Sequence, residues 1–177
     1  MSAHDWHIFI GASLLIVVFS WWSSLKKKRN HGIARFFSFE SVLLLWLLNA
    51  PRWFADSSSP LQTLSWVFLW VSAILAVWAV LLLIGMGKPK GDLENTTRLV
   101  TKGLYGVIRH PMYASLLYLG TGVWLKGVDV ATTCLAILNA VALYFTARIE
   151  EGEMLAKFGL EYRTYMGRTK RFIPFVF

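Results

Sequence analysis

Three short groups of residues carry side chains suited to holding a charged small molecule. Arg109-His110-Pro111-Met112-Tyr113 sets a guanidinium and an imidazole immediately before a proline that opens a helix. Free backbone N–H groups and the positive end of the helix dipole favour an anion there, so a carboxylate or a phosphate is the natural occupant. Glu150-Glu151, with Glu153 close behind, places carboxylates at the end of an apolar run. Negative charge at a helix C-terminus opposes the macrodipole and faces an anionic leaflet, so a cation must compensate it. Either Arg148 and nearby lysines or a ligand ammonium or sulfonium meets that need. Gly85-Met86-Gly87 closes an earlier apolar run and lets a ligand or another helix approach the backbone. A lone Gly-x-Gly is weak evidence, because small residues commonly serve helix packing in membranes.

The elements that must position these groups are apolar helices. More than half of the 177 residues are hydrophobic, nine are tryptophan, and the mean hydropathy is positive. That exceeds what a soluble core of this size hides, so lipid is the expected solvent. The runs Trp6 to Trp22, Phe36 to Ala50, Leu64 to Met86 and Met112 to Ala147 stand out, the last broken at Lys126-Gly127-Val128-Asp129. Splitting it into Met112 to Leu125 and Val130 to Ala147 predicts an all-α polytopic membrane bundle of about five spans. The chain reads as one domain, residues 1–177, with N-terminal spans over 1–84 and the chemistry in 85–177.

The charge of +8 does not form a stripe on a soluble face, so nucleic acid is not an expected partner. Basic residues follow spans one, three and five: Lys26 to Arg29 with Arg35, then Lys88 to Arg109, then Arg148 to Arg171. The opposite side carries only Arg52 and Lys126, each with an aspartate nearby. The positive-inside rule therefore predicts an external N-terminus, a cytosolic C-terminus and a cytosolic active site. Basic residues follow the first apolar run and no small-residue cleavage pattern is evident, so that run reads as a retained span and not a signal peptide. The single cysteine, Cys134, reads as a packing residue and offers no metal site. The first half reads as chemically quiet, with Glu40 near the cytosolic end of span two. Asp56 to Pro60 reads as a polar connector. In the tail, Leu155, Phe158, Tyr162 and Tyr165 recur at helical spacing, which predicts an amphipathic helix against the cytosolic end of the bundle, interrupted at Gly159.

Gly-x-Gly at the end of a span, Arg-His-Pro-x-Tyr after a basic loop, Glu-Glu after a helical hairpin, and Phe-Gly-x-Glu-Tyr-x-x-Tyr followed by Ile-Pro occur here in order from Gly85 to Phe177. Together they resemble the isoprenylcysteine carboxyl methyltransferase family and the related membrane phospholipid methyltransferases. The resemblance implies a helical bundle whose cytosolic ends, loop and tail enclose S-adenosylmethionine, without a metal. It carries Gly85, Gly87, His110, Tyr113, Glu150 and Glu151 over as cofactor-site residues, with Arg109 and Pro111 supporting them. Glu161, Tyr162, Tyr165 and Arg171 fall where related enzymes have polar positions near a lipophilic acceptor.

Methyl transfer is a displacement at a sulfonium carbon, so alignment and exclusion of water supply most of the catalysis. Arg109 or His110 would hold the methionyl carboxylate, and Glu150 or Glu151 the ammonium or a ribose hydroxyl. A thiol, phenol or amine acceptor needs deprotonation, for which His110 or a tail glutamate such as Glu161 serves; a carboxylate acceptor needs none. The nearest rival is an NADPH-dependent membrane reductase of the sterol type, whose aromatic tail also fits Ile173-Pro174-Phe175. Two glutamates suit a cationic donor and would repel an anionic dinucleotide. A non-enzymatic scaffold would explain the spans but leaves His110, Tyr113 and Glu150 without a purpose.

Overall fold

A computed structural model describes residues 3–24, 26, 29–55, 59–91 and 95–176. Lys27 and Lys28 of the first basic cluster, Asp56 to Ser58 of the polar connector, and Phe177 lie outside the described residues. The fold is all-helical: α1 (Ala3–Ser23), α2 (His31–Asn49), α3 (Pro60–Leu82, continued by a π turn over Leu83–Gly87), α4 (Pro111–Trp124), α5 (Val130–Phe158) and α6 (Leu160–Arg168). Prolines stand at the first turns of α3 and α4, where the missing N–H costs nothing. Asp129 starts α5 through a reciprocal capping box with Thr132. That cap and its bond to Arg52 depress the Asp129 carboxyl pKa.

Four stretches are long and apolar enough to cross a membrane: Ala3–Ser23, His31–Arg52, Pro60–Gly87 and Val130–Phe158. Their outward faces, including Leu15, Trp70, Ile74 and Val130, are exposed, as expected where lipid and not water covers the surface. Of the five expected spans, the fourth is the exception. As α4 it has 14 residues, about 21 Å at 1.5 Å per residue, against roughly 30 Å of hydrocarbon.

α4 compensates by packing closely. It lies against α2, α3 and α5, and its small residues admit neighbours: a Cβ on Gly120 would strike Asn139, and one on Gly122 would come 2.9 Å from Leu69. Buried polar side chains then bond across the helices. Ser65 and Ser72 donate to the carbonyls of Gly122 and Ser115, each at 2.7 Å, and Ser38 donates to Asn139 at 2.7 Å. Such close approach and hydrogen bonding hold helices together where lipid offers no hydrophobic drive.

Three expectations change. Span five does not stop at Ala147 but runs on to Phe158, because Arg148-Ile-Glu-Glu carries no helix breaker before Gly159, whose φ of 56° ends it. Roughly 20 residues from Val130 exhaust the hydrocarbon thickness, which puts Glu150 at its edge. Glu40 is not near a helix end but midway along α2, accepting from Ser13 at 2.8 Å. Cys134 is exposed instead of packed.

The end remote from the glutamates is closed by a polar latch. Arg52 pairs at 3.1 Å with Asp129, the aspartate that neighbours Lys126 in the sequence. Lys126 instead donates to Gln62 at 2.9 Å and lies 3.9 Å from the Trp66 ring centre, a cation–π seat that buries it. Burial lowers the pKa of its ammonium.

Candidate functional site

The other end gathers most of the residues singled out above. Pro111 begins α4, so Arg109 and His110 lie just outside the helix, and the tail fixes them there. Arg109 N–H donates to the Lys170 carbonyl at 2.7 Å, His110 N–H to the Arg171 carbonyl at 3.2 Å, and Lys170 N–H to the Val107 carbonyl at 3.1 Å. α6 folds back on the same loop, and Tyr165 donates its hydroxyl to the Tyr105 carbonyl at 2.6 Å. The tail thus lies against this end of the bundle, with the break at Gly159 separating α5 from α6.

The two adjacent glutamates face different surroundings. Glu151 is buried, and both its oxygens are engaged: Oε1 accepts from Arg109 Nε and Arg171 Nε, each at 3.0 Å, and Oε2 from Arg171 Nη2 at 2.9 Å. Arg109 also donates through Nη1 to the carbonyls of Met166 and Thr169. Glu151 is therefore a strut joining α5, the loop before α4 and the tail. The bond to Glu151 raises the Arg171 pKa further. Glu150, one residue earlier and about 100° around the helix, faces a cavity instead.

That cavity has an empty volume of about 700 Å³, counting its mouth. Arg109, His110, Tyr113, Glu150, Tyr162 and Tyr165 all line it. His110 stacks on Tyr113, ring centres 5.5 Å apart, and its Nδ1 lies 3.7 Å from Glu150. His110 Nε2 is buried and makes no hydrogen bond; Glu151 Oε1, 3.4 Å away, supplies charge without alignment. Burial, then the Glu150 charge, pushes the Tyr105 and Tyr162 hydroxyls well above the usual phenol range. Burial raises Tyr165 likewise, against Arg109. These phenols are donors, not bases.

Other expected residues stand apart from the cavity. Gly85 is exposed with open space around it, while a Cβ on Gly87 would come 2.8 Å from Thr96 Cγ2. Gly87 lets the loop return across the π turn, and its carbonyl accepts from the N–H groups of Thr97 and Arg98. Gly87 thus shapes a wall that Leu83, Thr96 and Val100 present to the cavity. Glu161 is on the outer face of α6, in a groove shared with Thr164 and Arg168. Arg171 is held by Glu151. Among the described residues, no three His, Cys, Asp or Glu side chains are grouped to hold a metal.

The half expected to be quiet contributes directly. Arg35, read as a topology signal, is buried and lines the cavity, and its electrostatic reach extends to Tyr113. His31, one helical turn earlier, meets Glu153 at 2.8 Å. The i, i+4 spacing of His31 and Arg35 puts both on one face of α2, a signal present in the sequence. Tyr105 and Met154, also in the lining, had no comparable signal.

The sequence profile of the phospholipid methyltransferase family matches residues 61–161, more than half of the chain. Protein-S-isoprenylcysteine O-methyltransferase B of Arabidopsis thaliana is 33% identical over 89 residues, which cover 47% of this chain and 43% of that protein. The chain therefore matches less than half the length of this relative. No solved structure matches. The profile covers the glycine pair, Arg109 to Tyr113 and both glutamates in the order the resemblance required. An all-helical membrane protein with a cavity of charged, aromatic and apolar side chains at one end of its bundle, this chain belongs to the phospholipid methyltransferase family.

Proposed function

We propose that the protein transfers a methyl group from S-adenosylmethionine to a lipophilic acceptor. The observation that carries this reading is the cavity's wall, where a glutamate, a histidine whose buried Nε2 makes no hydrogen bond, and protonated phenols converge beside apolar side chains. S-adenosylmethionine supplies an activated methyl on a sulfonium, with an ammonium and a carboxylate that need opposite partners. Glu150 suits the ammonium or a ribose hydroxyl, and His110 suits the carboxylate. Arg109 has two of its three nitrogens engaged already, so its part is to hold the loop and add positive charge. Glu151, Arg171 and Gly87 act by shaping the site. The acceptor's lone pair takes the methyl as the sulfur–carbon bond breaks and the sulfur becomes a neutral thioether. His110 accepts the proton of a thiol, phenol or amine acceptor, and Tyr162 and Tyr165 donate hydrogen bonds to the bound molecules. Closing the tail over the cavity excludes water.

Glu150 also disfavours a 2′-phosphorylated dinucleotide, which argues against the reductase. Lysines and arginines concentrate at the cavity's end, which supports a cytosolic active site and C-terminus, with the start of α1 outside. The test uses membranes containing the protein and methyl-labelled S-adenosylmethionine. Label entering the organic-solvent extract, and lost with His110→Ala and Glu150→Gln, supports the reading; label confined to water-soluble products contradicts the lipophilic acceptor.

A further inference from the structure

The cavity and the lipid-facing surface meet at one side chain outside the family match. Arg35 belongs to α2, whereas the match begins at residue 61. It is 4% exposed, and its Nη2 donates to the hydroxyls of Ser23 and Ser24, each at 2.7 Å. Its guanidinium carbon lies 5.5 Å from the Phe19 ring centre and 5.8 Å from that of Phe39. On its inner side it shares the cavity with Glu150 and Tyr113. Phe19 and Phe39 in turn wall an open, almost wholly apolar groove of about 1070 Å³ between α1, α2 and α4, with Leu43, Leu116 and Leu119.

Charged side chains within a membrane bundle are costly and mark ligand sites. Two serine hydroxyls and two aromatic faces fix the orientation of this guanidinium, and a planar fork is the group best matched to a carboxylate or phosphate. Charge is therefore divided along the site. Glu150 suits a cationic donor from one side, and Arg35, packed against two rings that wall an apolar groove, suits an anion that carries a hydrocarbon chain.

We propose that Arg35 determines acceptor specificity: it holds a phosphate or carboxylate of the methyl acceptor, whose apolar chain lies in the α1–α2–α4 groove. This rests on the methyltransferase reading and names the acceptor class. The competing assignment gives Arg35 the carboxylate of the donor.

The test titrates purified protein in a neutral sugar detergent with probes of one chain length, hexadecyl phosphate, hexadecanoate and hexadecanol, and separately with S-adenosylmethionine. The two anions bind roughly ten- to a hundredfold more tightly than the alcohol, as one charge-assisted contact implies. Arg35→Gln abolishes that preference and weakens S-adenosylmethionine by less than it weakens the anions, Arg35→Lys keeps part of the preference, and Leu119→Trp weakens all the lipid probes alike. Either order of the two anions supports the proposal; a lead for the phosphate points to a phospholipid-like acceptor and a lead for the carboxylate to an acidic lipid. Wild-type protein that holds the alcohol as tightly as the anions overturns it without any variant. So does an anion preference that survives Arg35→Gln, or a loss of S-adenosylmethionine binding in that variant with the preference intact. Wild-type protein that prefers the anions but binds no S-adenosylmethionine contradicts the methyltransferase reading instead.

Discussion

Replacing each of the two adjacent glutamates should produce opposite phenotypes. Glu151 is 3% exposed, and the side chains of Arg109 and Arg171 that bond to it are 8% and 12% exposed. Glu151→Ala leaves two buried guanidiniums without their shared counterion. Removing one partner of a fully buried ion pair costs about 3–5 kcal/mol, and the partial exposure of Arg171 places the loss toward or below the lower end of that range. The loss falls on the junction of α5, the pre-α4 loop and the tail, so the tail should detach before the bundle unfolds. Glu150→Gln changes a side chain at the cavity, where the folded state keeps its other contacts; stability should move by less than about 1 kcal/mol. Donor binding should fall by about 1.5–3 kcal/mol, the worth of one charge-assisted hydrogen bond. Denaturant unfolding in detergent, limited proteolysis of the tail and calorimetric titration measure the three quantities. A Glu151→Ala protein with wild-type stability and a protected tail would refute the strut, and a Glu150→Gln protein as unstable as Glu151→Ala would refute the division of roles.

Gly87→Ala should cost about 1–3 kcal/mol by driving Thr96 and Val100 outward, as overpacking does, while Gly85→Ala, with open space around it, leaves unfolding unchanged; equal effects would mean the glycines act together at the ligand. Tyr105, Tyr162 and Tyr165 have folded pKa values raised above the ordinary 10.0, so the folded state resists their ionisation and stability falls as pH rises past about 10. Ultraviolet titration should show these phenolates appearing together with unfolding, and ionisation in the intact fold would contradict their burial. A reporter fused after Phe177 should read cytosolic and one before α1 external; the reverse would overturn the topology.

The sequence made the site's cast largely legible because each member breaks a local rule. Arg109 and His110 precede a proline at a helix start, and Glu150 and Glu151 are adjacent carboxylates at the end of an apolar run. What stayed hidden depends on helix rotation. Glu150 and Glu151 are indistinguishable as a dipeptide, yet 100° of turn gives one to the cavity and the other to two arginines. Arg35 looks like any basic residue flanking a span, and only the packing of α2 against α5 turns it inward. The bounds of α4 were legible, Met112 to Leu125 against Pro111–Trp124, but not how Gly120, Gly122 and Ser115 seat so short a helix among its neighbours.

The central claim is most directly tested by which nucleotide the purified protein binds. Calorimetry in detergent should show S-adenosylmethionine, or its demethylated product, binding in the micromolar range, with His110→Ala weakening it about ten- to a hundredfold, and no heat from NADPH. Tight NADPH binding with none for S-adenosylmethionine would contradict the account and make the protein a reductase.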